Sequence, residues 1–105
     1  MWRADAARRG SSSAQMPDKL FLQWTLELPK PDTAWPADQE KLQFDRLYEP
    51  VLAGKKLFVG SMVSDKLTAY DTDTGKELWR FYTGGPVRFS PAIWKDKIFT
   101  ACDDG

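Results

Sequence analysis

The stretch Ala69–Trp79, "AYDTDTGKELW", decides the fold. Asp71 and Asp73 bracket Thr72 and are followed by Thr74 and Gly75. Read alone, this is a cation loop, a phosphate loop or a hairpin turn. A calcium loop of the EF-hand type needs further oxygen ligands and a late Glu at fixed spacing. A phosphate loop needs G-x-x-x-x-G-K-[ST], and the Gly and Lys here do not fit it. A hairpin uses every residue present. Asp71 and Thr74 can accept amide hydrogens within the turn, and Gly75 supplies a positive φ to close it.

The flanks support the hairpin. "KLTAY" (Lys66–Tyr70) places Leu67 and Ala69 on one face and Thr68 and Tyr70 on the other. "ELWRFY" (Glu77–Tyr82) sets Trp79 and Phe81 opposite Leu78, Arg80 and Tyr82. Upstream, "LFVGSMV" from Leu57 is a nearly continuous apolar run, as in a strand covered on both faces. "FLQWTLEL" (Phe21–Leu28) alternates strictly, with Leu22, Trp24, Leu26 and Leu28 on one face. "AIWKDKIFTAC" (Ala92–Cys102) predicts two short strands around Lys95-Asp96. Turn chemistry recurs at Ala53-Gly54-Lys55, Ser64-Asp65 and Gly84-Gly85-Pro86. No segment beyond the leader has helical periodicity.

An internal repeat chooses among the all-β architectures. "EPVLAGKKLFVGS" (Glu49–Ser61) aligns without gaps on "SPAIWKDKIFTAC" (Ser90–Cys102), at an offset of 41 residues. Pro50 matches Pro91, Leu52 matches Ile93, Lys56 matches Lys97 and Phe58 matches Phe99. "LQWTLEL" around Trp24 also echoes "ELWRFYT" around Trp79. A period of about 40 residues carrying four strands is the size of one propeller blade.

The totals set the limits on function. The chain has 105 residues, enough for one domain or part of one. Lys plus Arg equals Asp plus Glu at 15 each, so no global charge draws it to nucleic acid. Histidine is absent, which removes the commonest general base and metal ligand. One cysteine, Cys102, excludes an intrachain disulfide and a Cys-rich zinc site. No apolar run approaches the roughly 20 residues of a transmembrane helix. The Arg- and Ser-rich leader lacks the apolar core of a signal peptide and superficially suits an organelle transit peptide. An irregular leader over residues 1–16, running into the first strand, is the preferred reading.

"AYDTDTGKELW" resembles the A-x-D-x-x-T-G-x-x-x-W signature of the pyrroloquinoline-quinone (PQQ) type β-propeller repeat. It matches at Ala69, Asp71, Thr74, Gly75 and Trp79. "RADAARRG" is similar to the R-x-D-x-x-R-x-G segment that often opens such propellers, through Arg3, Asp5, Arg8 and Gly10. The resemblance implies an all-β fold: a β-propeller fragment of four-stranded antiparallel blades, one complete blade plus parts of two others. Residues 17–105 would form the partial propeller. Residues 20–28 would be an outer strand of another blade and 29–47 a loop insert. Residues 48–83 would be a full blade and 89–105 the start of the next. On this reading the chain is an N-terminal fragment, its main partners are the remaining blades, and Trp79 docks against a neighbouring one.

The resemblance also places the binding face. It implies that the insert, the turn at Val63-Ser64-Asp65 and "GGPVRF" share one end of the sheet. The candidate binding residues there are Trp35, Arg46, Tyr48, Arg88 and Phe89, since aromatic and Arg side chains anchor recognition sites. The competing reading has the aromatics packing the insert onto the blade and the arginines solvated. Quinoprotein dehydrogenases of this fold hold PQQ and Ca²⁺ with Glu, Asn and Asp ligands and, in many, adjacent cysteines. This chain has no Asn and no Cys pair. Glu49 and Asp45 precede an inner strand without marking themselves as ligands. Asp103-Asp104 reads as turn chemistry in preference to a Ca²⁺ pair, and Cys102 as a small strand residue.

No catalytic residue and no metal site are therefore assigned, and no cofactor is visible. The expected function is a non-catalytic binding or scaffold module, like the propellers that assist outer-membrane protein assembly, with protein partners and no nucleic acid. The alternative is the N-terminal part of a PQQ-dependent dehydrogenase whose catalytic residues, with PQQ and Ca²⁺, lie outside this chain. Family resemblance puts either outside the cytoplasm, in the periplasm for example, although the chain shows no signal peptide.

Overall fold

The structure, a computed structural model, describes Gly10 and residues 13–105. Arg3, Asp5 and Arg8 of the leader lie outside the described residues. The described residues form six strands: β1 (Val51–Ala53), β2 (Lys56–Ser61), β3 (Lys66–Asp71), β4 (Glu77–Tyr82), β5 (Ala92–Trp94) and β6 (Lys97–Phe99). Among the described residues there is no helix, so none is long and apolar enough to cross a membrane.

β1 to β4 form one antiparallel sheet in chain order, and β5 and β6 form a second, two-stranded sheet. The fold is all-β and consistent with a propeller fragment. Both hairpins that open a sheet have the same register, displaced by the repeat. Val51 faces Phe58 as Ala92 faces Phe99, and Ala53 faces Lys56 as Trp94 faces Lys97. The repeat in sequence is thus a repeat in hydrogen bonding.

The period-2 rule of a strand sorts the residues of β2 and β3 onto two faces. Phe58, Leu67 and Ala69 are buried on one face, with Ala53, Ile93 and Ile98 packed against them. The β5–β6 hairpin therefore covers this face. Gly60 lies on it as well, paired with Leu67. A Cβ on Gly60 would stand 2.5 Å from Val87 Cγ1, so the missing side chain is what lets Val87 press onto the sheet. The other face carries the buried Val59, Thr68 and Tyr70. Coverage on both sides explains why "LFVGSMV" is a run and not an alternation. β3 pairs with β4 through a register shift between Ala69 and Tyr70, an irregularity that sharpens local twist.

Residues 20–28 pair with no strand among the described residues. Their alternation sets sidedness at the centre of the segment only. Trp24 and Leu26 are half-buried with Gln23 and Thr25 exposed, while Leu22 of the same face stands exposed. Leu28 and Pro29 line a cavity of about 130 Å³ with Val59, Thr68 and Tyr70, so the segment passes over the second face of the sheet. A strand pattern reports which side is apolar; a ladder also needs a partner edge. The insert 29–47 contains only turns and bends.

Candidate functional site

Antiparallel topology gives the sheet two ends. The β1–β2 and β3–β4 turns lie at one end, and the β2–β3 turn and the exit from β4 at the other.

At the first end, Asp71 organises the turn. Its Oδ1 accepts the Asp73 amide at 3.0 Å, the Thr74 amide at 2.8 Å and the Thr74 hydroxyl at 2.9 Å. The Thr74 hydroxyl and amide hold the carboxylate below the usual aspartate range, helped by the Asp73 amide and the Lys55 charge against partial burial. Thr74 Oγ1 accepts the Lys76 amide at 3.3 Å, and Gly75 has φ +70°. Asp73 pairs with Lys55 at 2.8 Å in the open. These acids face turn donors, so the hairpin reading of the sequence stands. Ala69 is fully buried, and Trp79 tilts against Phe58 with ring centroids 5.8 Å apart.

A contact from outside the sheet completes this end. The Trp24 indole N–H donates to the Thr72 carbonyl at 2.8 Å. Its ring lies where a Cβ on Gly75 would fall, 2.7 Å from Cδ2. Trp79, the residue that echoes Trp24, borders a cleft of about 300 Å³ lined by Lys56, Ile93, Lys97 and Ile98.

The second end gathers the insert and residues 84–89. Hydrogen bonds from the Thr83 amide to Asp65 O (2.8 Å) and from the Val87 amide to Ser61 O (3.2 Å) fasten the exit from β4 to the β2–β3 turn. Arg88 is the hub. Its Nη1 donates to Asp45 Oδ2 and to the Asp32 carbonyl, both at 2.6 Å, and its Nε donates to Asp103 Oδ2 at 2.7 Å. Asp45 is wholly buried, and its Oδ2 also accepts the Ala34 amide at 2.7 Å. Burial alone would lower the Arg88 pKa; the bonds to Asp103 and Asp45 outweigh it and hold the guanidinium above its ordinary value.

Next to this ion cluster lies an aromatic shelf. Phe44 and Phe89 stack in nearly parallel planes with centroids 5.0 Å apart, and Trp35 meets Phe44 edge-on at 6.4 Å. Lys41 Nζ stands 4.6 Å above the Trp35 ring. Phe44 and Phe89 remain 41% and 57% exposed, a large apolar area to leave in water.

The structure thus brings Trp35, Arg88 and Phe89 into one cluster. Arg46 is exposed and donates to Gln43 Oε1 at 2.7 Å. The Tyr48 hydroxyl is buried and meets no hydrogen-bonding group among the described residues, as does Asp45 Oδ1. Sequence reasoning missed Phe44, Asp45 and Asp103 as members of the cluster. One signal was available: Phe44-Asp45 and Arg88-Phe89 are matching pairs of an aromatic beside opposite charges. Cys102 contacts the Asp104 carboxylate, which with burial raises the thiol pKa, the reverse of an activated nucleophile.

The residues at this end do not fit a PQQ–Ca²⁺ site. Ca²⁺ takes about six to eight oxygen ligands. Here Asp45 and Asp103 are both bonded to Arg88, whose charge would repel the ion. Among the described residues, no group of three or more His, Cys, Asp or Glu side chains is placed to hold a metal.

A family model, PQQ_2, described as "Outer membrane protein assembly factor BamB", matches residues 1–105. No curated protein matches the chain.

Proposed function

The chain belongs to the PQQ_2 family of outer membrane protein assembly factor BamB, and from that premise we propose that it is part of a non-catalytic β-propeller module that binds protein. The binding surface is the shelf formed by Trp35, Phe44 and Phe89. The observation that carries this reading is the stacked and exposed Phe44–Phe89 pair, next in sequence to the buried Asp45–Arg88 ion pair. Exposed aromatics on a rigid support are typical anchors of a recognition surface. The module works outside the cytoplasm, in outer-membrane protein assembly, without PQQ or Ca²⁺.

Neighbouring blades are its first partners. The contact of Trp24 with Thr72 and Gly75 supports docking of an outer-strand tryptophan on the turn of the next blade. Trp79 would dock in the same way on the blade that follows.

Two measurements on the intact protein test the proposal. A urea-unfolded outer-membrane β-barrel polypeptide, fluorescently labelled and diluted into the protein, should bind, and Phe89→Ala should abolish that binding. PQQ- and Ca²⁺-dependent dye reduction should be absent. Dye reduction that requires both would overturn the module reading in favour of a dehydrogenase.

A further inference from the structure

We infer that Arg88 is a positioning residue for the aromatic shelf and that, through Asp103, it makes the shelf depend on the turn after β6. The inference rests on the shelf being the binding surface. Three elements meet at one guanidinium. The insert supplies Asp45 Oδ2 and the Asp32 carbonyl, and the turn after β6 supplies Asp103 Oδ2. Arg88 itself sits on the segment leaving β4. Its side chain is only 10% exposed, and both donating nitrogens face protein acceptors, so it has little to offer a ligand.

The covalent chain converts this clamp into shelf geometry. Phe44 precedes Asp45, and Phe89 follows Arg88. Fixing Asp45 against Arg88 therefore fixes the two backbones from which the stacked rings project. Rings 5.0 Å apart and 2° from parallel need that registry, because neither ring is buried deeply enough to be held by packing alone. The far side of the guanidinium is tied to the turn after β6, whose Asp103 amide also donates to the Pro86 carbonyl at 3.1 Å. The turn thus grips both Arg88 and the backbone two residues before it. Gly84 and Gly85 pass close against Asp103 and Asp104, where a Cβ on Gly85 would lie 3.2 Å from the Asp104 nitrogen. Placement of the second hairpin is transmitted to the rings through the Arg88 side chain, with the Pro86 backbone bond beside it, and the shelf is assembled only when the blade after it is in place.

The experiment compares Arg88→Gln, Asp103→Asn and Phe89→Ala with the parent, in the intact protein. Nuclear Overhauser contacts between the Phe44 and Phe89 rings report the shelf directly. Binding of a synthetic peptide of alternating tyrosine and threonine reports its use, and thermal unfolding reports the fold. Asp103→Asn should weaken the ring contacts and peptide binding by about tenfold, because pre-organisation is lost, while the protein stays folded. Arg88→Gln should abolish both. Ring contacts that persist in folded Arg88→Gln or in Asp103→Asn would overturn the inference. If Arg88→Gln does not fold, Asp103→Asn decides, since its side chain is 45% exposed and its loss leaves Asp45 paired. Ring contacts that depend on Arg88 in a protein that binds no peptide would refute the binding surface and leave the positioning role intact.

Discussion

Trp24 and Gly75 are in contact across 51 positions of sequence, the indole ring occupying the space a side chain on Gly75 would need. Gly75 is doubly constrained, because its φ of +70° also disfavours any Cβ. Gly75→Ala should cost about 1–3 kcal/mol from backbone strain and ring displacement together. Trp24→Phe keeps an aromatic ring and loses the bond to Thr72 O, and should cost about 1 kcal/mol. Urea unfolding of both variants checks the order. If Trp24→Ala removes most of the penalty of Gly75→Ala, the ring is its main source; if it does not, strain at φ is.

The Asp71 turn makes a prediction about pH. The carboxylate is held below its ordinary value of 3.8 by the Thr74 hydroxyl and amide. A depressed folded pKa means that the unfolded chain takes up the proton first as acid is added. The turn's contribution is therefore complete above pH 3.8 and is lost as pH falls through the lower, folded value. Asp71→Asn should unfold at a lower temperature than the parent at neutral pH, and the gap should close in strong acid. A gap that stays constant with pH would mean the charge on Asp71 is irrelevant to the turn.

These two cases show what could be read from the chain. The Asp71–Gly75 turn was legible because the bonds that Asp71 and Thr74 make within it run to neighbours two or three positions away. The hairpins were legible because the same register occurs twice. The segment 20–28 was legible in sidedness only at its centre: Trp24 and Leu26 are half-buried, yet Trp24 meets a turn and Leu28 a sheet face, not a ladder. The Arg88 clamp was illegible as a unit. Its acids lie 43 positions before and 15 after it, and no periodicity joins them. Arg88 and Asp45 were each noticed, but their pairing is a tertiary fact.

Gly60 and Val87 give a prediction about packing. Gly60→Ala places a methyl 2.5 Å from Val87 Cγ1 in a covered face, which should cost about 1–3 kcal/mol through overpacking. Val87→Ala removes two buried carbons and should cost about 2 kcal/mol. The double variant should be more stable than the sum of the two losses implies, since the new methyl fills the space vacated. Strict additivity in chemical unfolding would show that the sheet shifts instead of Val87.

The ion cluster predicts an asymmetry between its members. Removing one partner of a buried pair leaves the other charge without compensation, at about 3–5 kcal/mol. Arg88→Ala does this to Asp45, which is fully buried and would keep only the Ala34 amide as a donor. Asp45→Ala is milder, because Arg88 retains Asp103 Oδ2 and the Asp32 carbonyl, and should cost about 1–3 kcal/mol. The order Arg88→Ala worse than Asp45→Ala, with Asp103→Ala mildest, follows from the partners each loss leaves and from the exposure of Asp103. Adding Asp45→Asn to Arg88→Ala should restore part of the loss, since the neutral amide no longer needs a counter-charge. Equilibrium unfolding of the four variants tests this ranking. A Asp45→Asn/Arg88→Ala protein no more stable than Arg88→Ala would show that the loss comes from the missing guanidinium contacts to the three segments, and not from the stranded carboxylate.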